Sequence, residues 1–340
     1  MELPYLTSAL PGTGGVLRTV PEDFVVDEVC AYPPSGAGDH VFVRIEKRGL
    51  TTAQAVQRIS RTLGIHERDV GVAGMKDRHA VTRQWLSLPP PVTPEQAMAL
   101  AVDDVRVLEA ARHAHKLRTG HVRANRFVLR VRGVDAGSGV AETRARAILD
   151  VLARPPGAPN FYGEQRFGRE GDNAARGREL LAGGKPPRDK KLARLLVSAL
   201  QSELFNAWLT ARMTDGLYAR VLAGDVLHKV GGGMFTCEDA ATDEARLGAG
   251  ELVVTGPMFG DKMRAAAGDA GAREDAILAA AGLSRDSFTS VRAIAEGTRR
   301  DATIQVGEPS VTADGETLEV AFTLPGGAYA TTVMREVMKC

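Results

Sequence analysis

Long apolar runs, cysteines and an excess of either charge are what this chain lacks. No stretch approaches the roughly 20 consecutive apolar residues needed to span a bilayer, which excludes a helical membrane segment within it. Its three cysteines, Cys30, Cys237 and Cys340, are scattered and odd in number. They indicate neither a disulfide framework nor a zinc site, and a reducing cytoplasm is the expected home. The opening Met-Glu-Leu-Pro-Tyr lacks the basic-then-apolar order of a secretory signal. Gly12-Thr13-Gly14-Gly15 is followed by no Gly-Lys-Ser/Thr ending and no helical pattern, so it is not read as a phosphate cradle. A net charge of +1 declares no partner by itself.

What is present is a globular composition, 44% hydrophobic and 25% charged, in 340 residues, a length that suggests two domains. The charges are unevenly placed. Between Glu109 and Asp135 there is no acidic residue, whereas Arg112, Lys116, Arg118, Arg123, Arg126, Arg130 and Arg132 all fall there. Such a block suits a phosphate backbone, against the plainer reading of a solvated sheet face. His113, His115 and His121 lie among these cations, which would repel a divalent metal, so no metal site is expected. A second basic run, Lys185, Arg188, Lys190, Lys191 and Arg194, fits RNA or solvated helix ends about equally.

Strands are expected over 24–29, 40–46, 80–88, 104–111 and 126–132, with a short buried strand end at Val70 to Gly74. Thr51 or Thr52 caps a helix to about Leu63 that ends at Gly64, and Thr93-Pro94-Glu95-Gln96 opens another. A further helix spans 140–152. Arg154-Pro155-Pro156-Gly157-Ala158-Pro159 interrupts regular structure. Beyond it the middle is mainly helical, with Leu192, Leu195, Leu196 and Ala199 as an apolar stripe running on past Phe205 and Trp208. The tail returns to strands, 302–306 and 317–324, flanking an Asp314-Gly315 turn, then a helix through Met334 and Val337. This mixed order predicts an α+β fold with a largely antiparallel sheet. Residues 1–154 with 303–340 are expected to form one domain and 155–302 an insertion in it.

Lys76-Asp77-Arg78-His79 occupies the loop between the 70–74 and 80–88 strands. A Lys-Asp-Arg triplet is commonly a solvated ion pair of little energetic worth. The flanking cations also favour an ionised Asp77, suited to a nucleophilic or electrostatic role rather than to a general acid.

The run Gly74-Met75-Lys76-Asp77-Arg78-His79-Ala80-Val81-Thr82-Arg83-Gln84 resembles the signature of the TruD-type tRNA pseudouridine synthases. Pro21-Glu22-Asp23-Phe24, His115 to Gly120, Asn125-Arg126-Phe127, the Phe161 to Gly168 run and Ala328-Tyr329-Ala330-Thr331 resemble further landmarks in the family's order. The resemblance spans nearly the whole chain and includes the helical insertion. It implies a cytoplasmic, monomeric enzyme acting on tRNA, with no cofactor, metal or membrane. The reaction it implies is isomerisation of a flipped uridine in a cleft between the domains, at position 13 in the D arm of tRNAs such as glutamate tRNA.

It also implies the site. Asp77 matches the catalytic aspartate. Arg18 stands where the family has a basic partner, often lysine, for that aspartate; a surface arginine is the ordinary alternative. Phe127 matches the aromatic that stacks on the base, with a buried strand phenylalanine as its alternative. Asn125, on the same strand face, is placed to hydrogen-bond uracil or to hold the Asp77 loop. Tyr329 sits where the family often has phenylalanine, and Lys116 and Arg118 are expected on phosphate. A non-catalytic RNA-binding or chaperone protein, and a hydrolase that cleaves a glycosidic bond outright, are the rival readings.

Overall fold

Capping residues set the helices of the first half. Thr51 accepts from the Gln54 N–H while the Gln54 side chain accepts from the Thr51 N–H, opening α1 (Thr52–Leu63). Gly64, at φ 68°, closes it in the left-handed region. Thr93 and Gln96 form the same capping box at α2 (Pro94–Met98). Around them run β1 (Val16–Leu17), β2 (Phe24–Cys30), β3 (His40–Arg48), β4 (Gly71–Val72), β5 (Val81–Leu88), β6 (Val105–His113) and β7 (Val122–Arg132), followed by α3 (Ser138–Leu152). The computed structural model describes residues 2–134 and 137–340. Asp135, which closes the acid-free block, lies outside the described residues.

The middle of the chain supplies β8 (Ala158–Pro159), α4 (Asn173–Leu181), α5 (Lys190–Thr214), β9 (Val226–Lys229), β10 (Met234–Thr236), α6 (Ala240–Gly248), β11 (Leu252–Met258), α7 (Gly268–Ala280), β12 (Thr298–Asp301) and β13 (Thr303–Ile304). The tail adds β14 (Gly307–Asp314), β15 (Thr317–Pro325) and α8 (Ala330–Met338). No helix among the described residues is long and apolar enough to cross a membrane.

Two compact units result. One comprises Leu10–Asp150, Val306–Ala330 and Val337–Cys340; the other comprises Met1–Ala9, Val151–Gln305 and Thr331–Glu336. The first is built on a sheet ordered β14-β15-β7-β2-β5-β3-β6, with β1 beside β7 and β4 beside β5. Among its described pairs only β2–β5 is parallel, so the fold is α+β with a mainly antiparallel sheet, as expected. Val41, Val43 and Ile45 alternate along β3 and are fully buried with Ala55, Val56 and Ile59 of α1 and Leu86 and Leu88 of β5.

In the second unit α5 buries Leu196, Val197, Leu200 and Leu204 against Leu180 and Leu181 of α4, Phe259, Leu278 and Phe288. The Phe161 to Gly168 run is fastened to this helix. Asn206 accepts from the Tyr162 N–H at 2.9 Å, and the Arg166 guanidinium donates to the Ser198 and Ser202 hydroxyls.

Two expectations need correcting. The strand that turns at Asp314-Gly315 into β15 is 307–314, not 302–306; of the latter, Thr303 and Ile304 pair instead with β8. An outermost strand tolerates Pro309 and an alternating exposed face, and a bulge lies between Gly307 and Ser310, so its residues do not read as a buried strand. Leu195 is 43% exposed, because α5 turns its stripe through Leu196, Ala199 and Leu200 instead.

Candidate active site

One face of the sheet is apolar until it reaches the 73–79 loop, and there polar residues take over. Position 47 continues the inward row of Val41, Val43 and Ile45, yet it holds a lysine that is fully buried. Its register partner on β5 is Thr82, and that of Ile45 is Gln84, both also fully buried. On the neighbouring strands Glu28 of β2 pairs with Asn125 of β7; they are 3% and 8% exposed. Among these, Thr82 Oγ1, Gln84 Nε2 and Asn125 Oδ1 are buried with no hydrogen-bond partner among the described residues. Unpaired buried polar groups are costly, and these three are gathered on the one sheet face that also carries Lys47 and Glu28.

The loop over this patch is fixed at three successive residues. The Lys76 N–H donates to Thr52 Oγ1 at 2.8 Å, and its ammonium pairs with the buried Glu28 carboxylate. Glu28 also accepts from the Trp85 N–H at 3.1 Å, which ties the pair to the sheet. Next, the Asp77 carbonyl accepts from Lys47 Nζ at 2.9 Å. Then Arg78 Nε donates to the Gly49 carbonyl at 3.3 Å. Held this way, Met75 stays 67% exposed and the Asp77 side chain 49% exposed. The carboxylate points neither into the core nor loosely into solvent.

Arg18 and Asp77, expected as a pair, are brought together: Arg18 Nη2 lies 3.0 Å from Asp77 Oδ2. The guanidinium is seated over the Phe24 ring at 4.0 Å, a cation–π contact that narrows its freedom. Phe24 meets Phe127 edge-on at 6.1 Å between ring centres, and Phe127 meets Phe322 at 5.7 Å. Phe127 is therefore 6% exposed, a member of an aromatic cluster capped by Arg18. Asn125 lies on the same face two residues along β7. Tyr329 is half-buried in the turn after β15, whose last residues, Leu324 and Pro325, pair with Asn125 and Ala124.

The family landmark 21–24 works from underneath. Asp23 is fully buried and accepts bidentately from Arg132 and from the Val20 N–H. Burial alone would raise its carboxyl, but the Arg132 hydrogen bonds and charge, with the Val20 and Thr19 amides, carry it below the usual carboxylate range. The segment leading from Arg18 to Phe24 is thereby locked to β7.

The basic block divides. Arg132 is engaged by Asp23, Arg130 by Glu319 and Arg126 by Glu308, acids that arrive from β14, β15 and the 21–24 turn. Lys116 gives its ammonium to the Arg68 carbonyl at 2.6 Å. Arg118 and Arg123 are exposed with no ion-pair partner among the described residues. No described contact joins Lys116 or Arg118 to Asp77. Their loop instead supports the start of the 73–79 loop and β5: Gly120 N–H donates to the Ala73 carbonyl at 2.9 Å, and Leu117 N–H to Ser87 Oγ at 2.9 Å. His113 is buried beside Tyr32 and Phe42, and burial, with His115 and His40 nearby, lowers its imidazole below the ordinary value. Among the described residues no group of three or more His, Cys, Asp or Glu could hold a metal ion.

Of Lys47, Thr52 and Glu28, the sequence singled out only Thr52, and that as an alternative helix cap rather than as an anchor for the Asp77 loop. The signal for Lys47 was present, since it occupies an inward position of the Val41-Val43-Ile45 alternation where an aliphatic residue belongs. Glu28 follows Phe24 and Val26 in the same period and carried the same signal.

Known proteins agree with this architecture. A model of the family tRNA pseudouridine synthase D (TruD) matches residues 1–185 and 188–337. Tested against curated proteins, the chain is 53% identical over 345 residues to a tRNA pseudouridine synthase D of Anaeromyxobacter dehalogenans, covering 99% of this chain and 97% of that one. It is 44% identical to one from Thermus thermophilus, covering 99% and 92%. A crystal structure of a protein from Methanosarcina mazei superposes with a TM-score of 0.82 at 23% identity, covering 100% of this chain and 99% of that one, and shares the fold. With the family matched from end to end, the chain belongs to the tRNA pseudouridine synthase D family.

Proposed function

We propose that the protein converts a uridine of tRNA to pseudouridine with Asp77 as its catalytic carboxylate. The observation that carries this is the half-exposed Asp77 carboxylate, held by Arg18 above a loop fixed at three consecutive residues. Isomerisation breaks the bond between N1 and the sugar and forms one from C5. A proton leaves C5 and one is gained at nitrogen, so mass is conserved. A pre-placed anion beside the sugar and base is the group such chemistry needs.

The Leu10–Asp150 unit with its sheet is the catalytic domain in this reading, and the mainly helical 155–302 region its insertion. The unpaired Asn125 Oδ1 is an acceptor for the uracil N3–H. Phe127, with Tyr329, supplies the aromatic wall of the base site, and stacking one base is worth roughly 1–3 kcal/mol. That is comparable to the few kcal/mol spent in extruding a nucleotide. Arg118 and Arg123 contact phosphate. Position 13 in the D arm, in tRNAs such as glutamate tRNA, is the expected target.

Incubating purified protein with tRNA transcripts and mapping pseudouridine tests this. One modified nucleotide at position 13, with transcript mass unchanged, is the expected result. Free uracil would indicate a hydrolase, and an unmodified but tightly bound transcript a binding protein; either would overturn the proposal.

A further inference from the structure

Lys47 is a buried cation for which the fold has no packing need. It continues an apolar row, it is fully buried, and the residues opposite it in register, Thr82 on β5 and Val105 on β6, are uncharged. A methionine would fill the same length without the desolvation of an ammonium group. No carboxylate lies within ion-pair distance of it among the described residues. Instead its Nζ donates to two backbone carbonyls, Leu50 at 2.5 Å and Asp77 at 2.9 Å. The first bond closes the turn between β3 and α1. The second reaches the peptide that carries the candidate catalytic carboxylate.

The charges around Lys47 come from the 73–79 loop. The Asp77 carboxylate attracts it and the Lys76 ammonium opposes it. Lys76 is itself compensated by Glu28 from β2, and Asp77 is met by Arg18. From α1 the nearby loop contact is the uncharged Thr52 hydroxyl.

We propose that Lys47 is a positioning residue for Asp77, fixing the carbonyl side of that residue and setting a positive charge beneath its carboxylate without touching substrate. This rests on the reading of Asp77 as catalytic. Arg18 then constrains the carboxylate at its tip while Lys47 constrains it at its root. Burial lowers the Lys47 ammonium to about 8, with the Asp77 charge opposing that fall, so the cation is lost within an accessible pH range.

Lys47→Met separates this from a purely structural role. Expected is a fall in kcat for pseudouridine formation on the order of 10–10²-fold, the scale of a misplaced reactive group, with KM and tRNA affinity within about twofold. If Lys47→Met folds and turns over at the wild-type kcat, well below its melting temperature, the proposal is overturned. The wild-type enzyme gives a second readout that does not depend on that variant folding. Its kcat should decline on the alkaline side around pH 8 as Lys47 loses its proton. A kcat flat to well above that pH would equally overturn the proposal. Asp77→Asn, run alongside, keeps the two readings apart. If it retains activity, the assignment of Asp77 fails; if it is inactive while Lys47→Met is unaffected, only the role of Lys47 fails.

Discussion

Arg18 grips Asp77 from a backbone conformation that arginine seldom adopts: Nη2 to Oδ2 is 3.0 Å, and φ at Arg18 is 66°. A left-handed residue with a Cβ costs about 1–2 kcal/mol and persists where its surroundings over-determine it. Here the Phe24 ring and the Asp77 carboxylate do so. Arg18→Ala should lower kcat on the order of 10–10²-fold through loss of orientation at Asp77. Because the pair is partly solvent-exposed, stability should change by no more than about 1 kcal/mol. Arg18→Gly should be equally impaired in turnover yet about 1 kcal/mol more stable than Arg18→Ala in denaturant titrations.

The pair beneath the loop should behave in the opposite way. Lys76 and Glu28 have side chains only 8% and 0% exposed, so removing one partner strands a buried charge. Glu28→Gln should cost about 3–5 kcal/mol in chemical denaturation. Adding Lys76→Met to Glu28→Gln should recover part of that loss, a coupling read directly from the double-mutant cycle.

Asp23 gives a pH signature. Its folded carboxyl titrates below the ordinary value because Arg132 and two backbone amides outweigh burial. Between that lowered value and the unfolded value of about 3.9, the unfolded chain binds more protons. Stability is therefore present above the unfolded value and is lost as pH falls through the folded one. Asp23→Asn should lower stability at neutral pH and flatten this acid limb, measured as unfolding free energy against pH.

The division of the basic block predicts which cations set the salt dependence of tRNA binding. Arg118 and Arg123 have no ion-pair partner among the described residues, whereas Arg130 is paired with Glu319 at 3.3 Å. Arg123→Ala should reduce the slope of log affinity against log salt by roughly 1. Arg130→Ala should change it distinctly less, because that cation already has a protein counter-charge.

Much of this was legible in the residues themselves. The capping chemistry of Thr51, Gly64 and Thr93 acts over four or five positions, and both helices start where it says. The Asp77 loop was legible for the same reason, as a polar tetrad between two β-prone runs. What escaped notice was set by partners distant in the chain. Glu308 and Glu319 neutralise arginines nearly 200 residues earlier, which a linear charge count reads as free. The strand 307–314 is specified by pairing with β15 at the sheet's edge rather than by its own pattern. Lys47 and Glu28 broke an apolar alternation, and only the loop folded against them explains why.

Asp77→Asn, assayed for pseudouridine in a tRNA transcript under single-turnover conditions, is the most direct test of the central claim. The change removes the negative charge and keeps the size, so tRNA affinity should stay within about twofold. Product formation should fall by at least about 10³-fold, as for loss of a group that acts only in the chemical step. A variant that forms pseudouridine at the wild-type rate would contradict it.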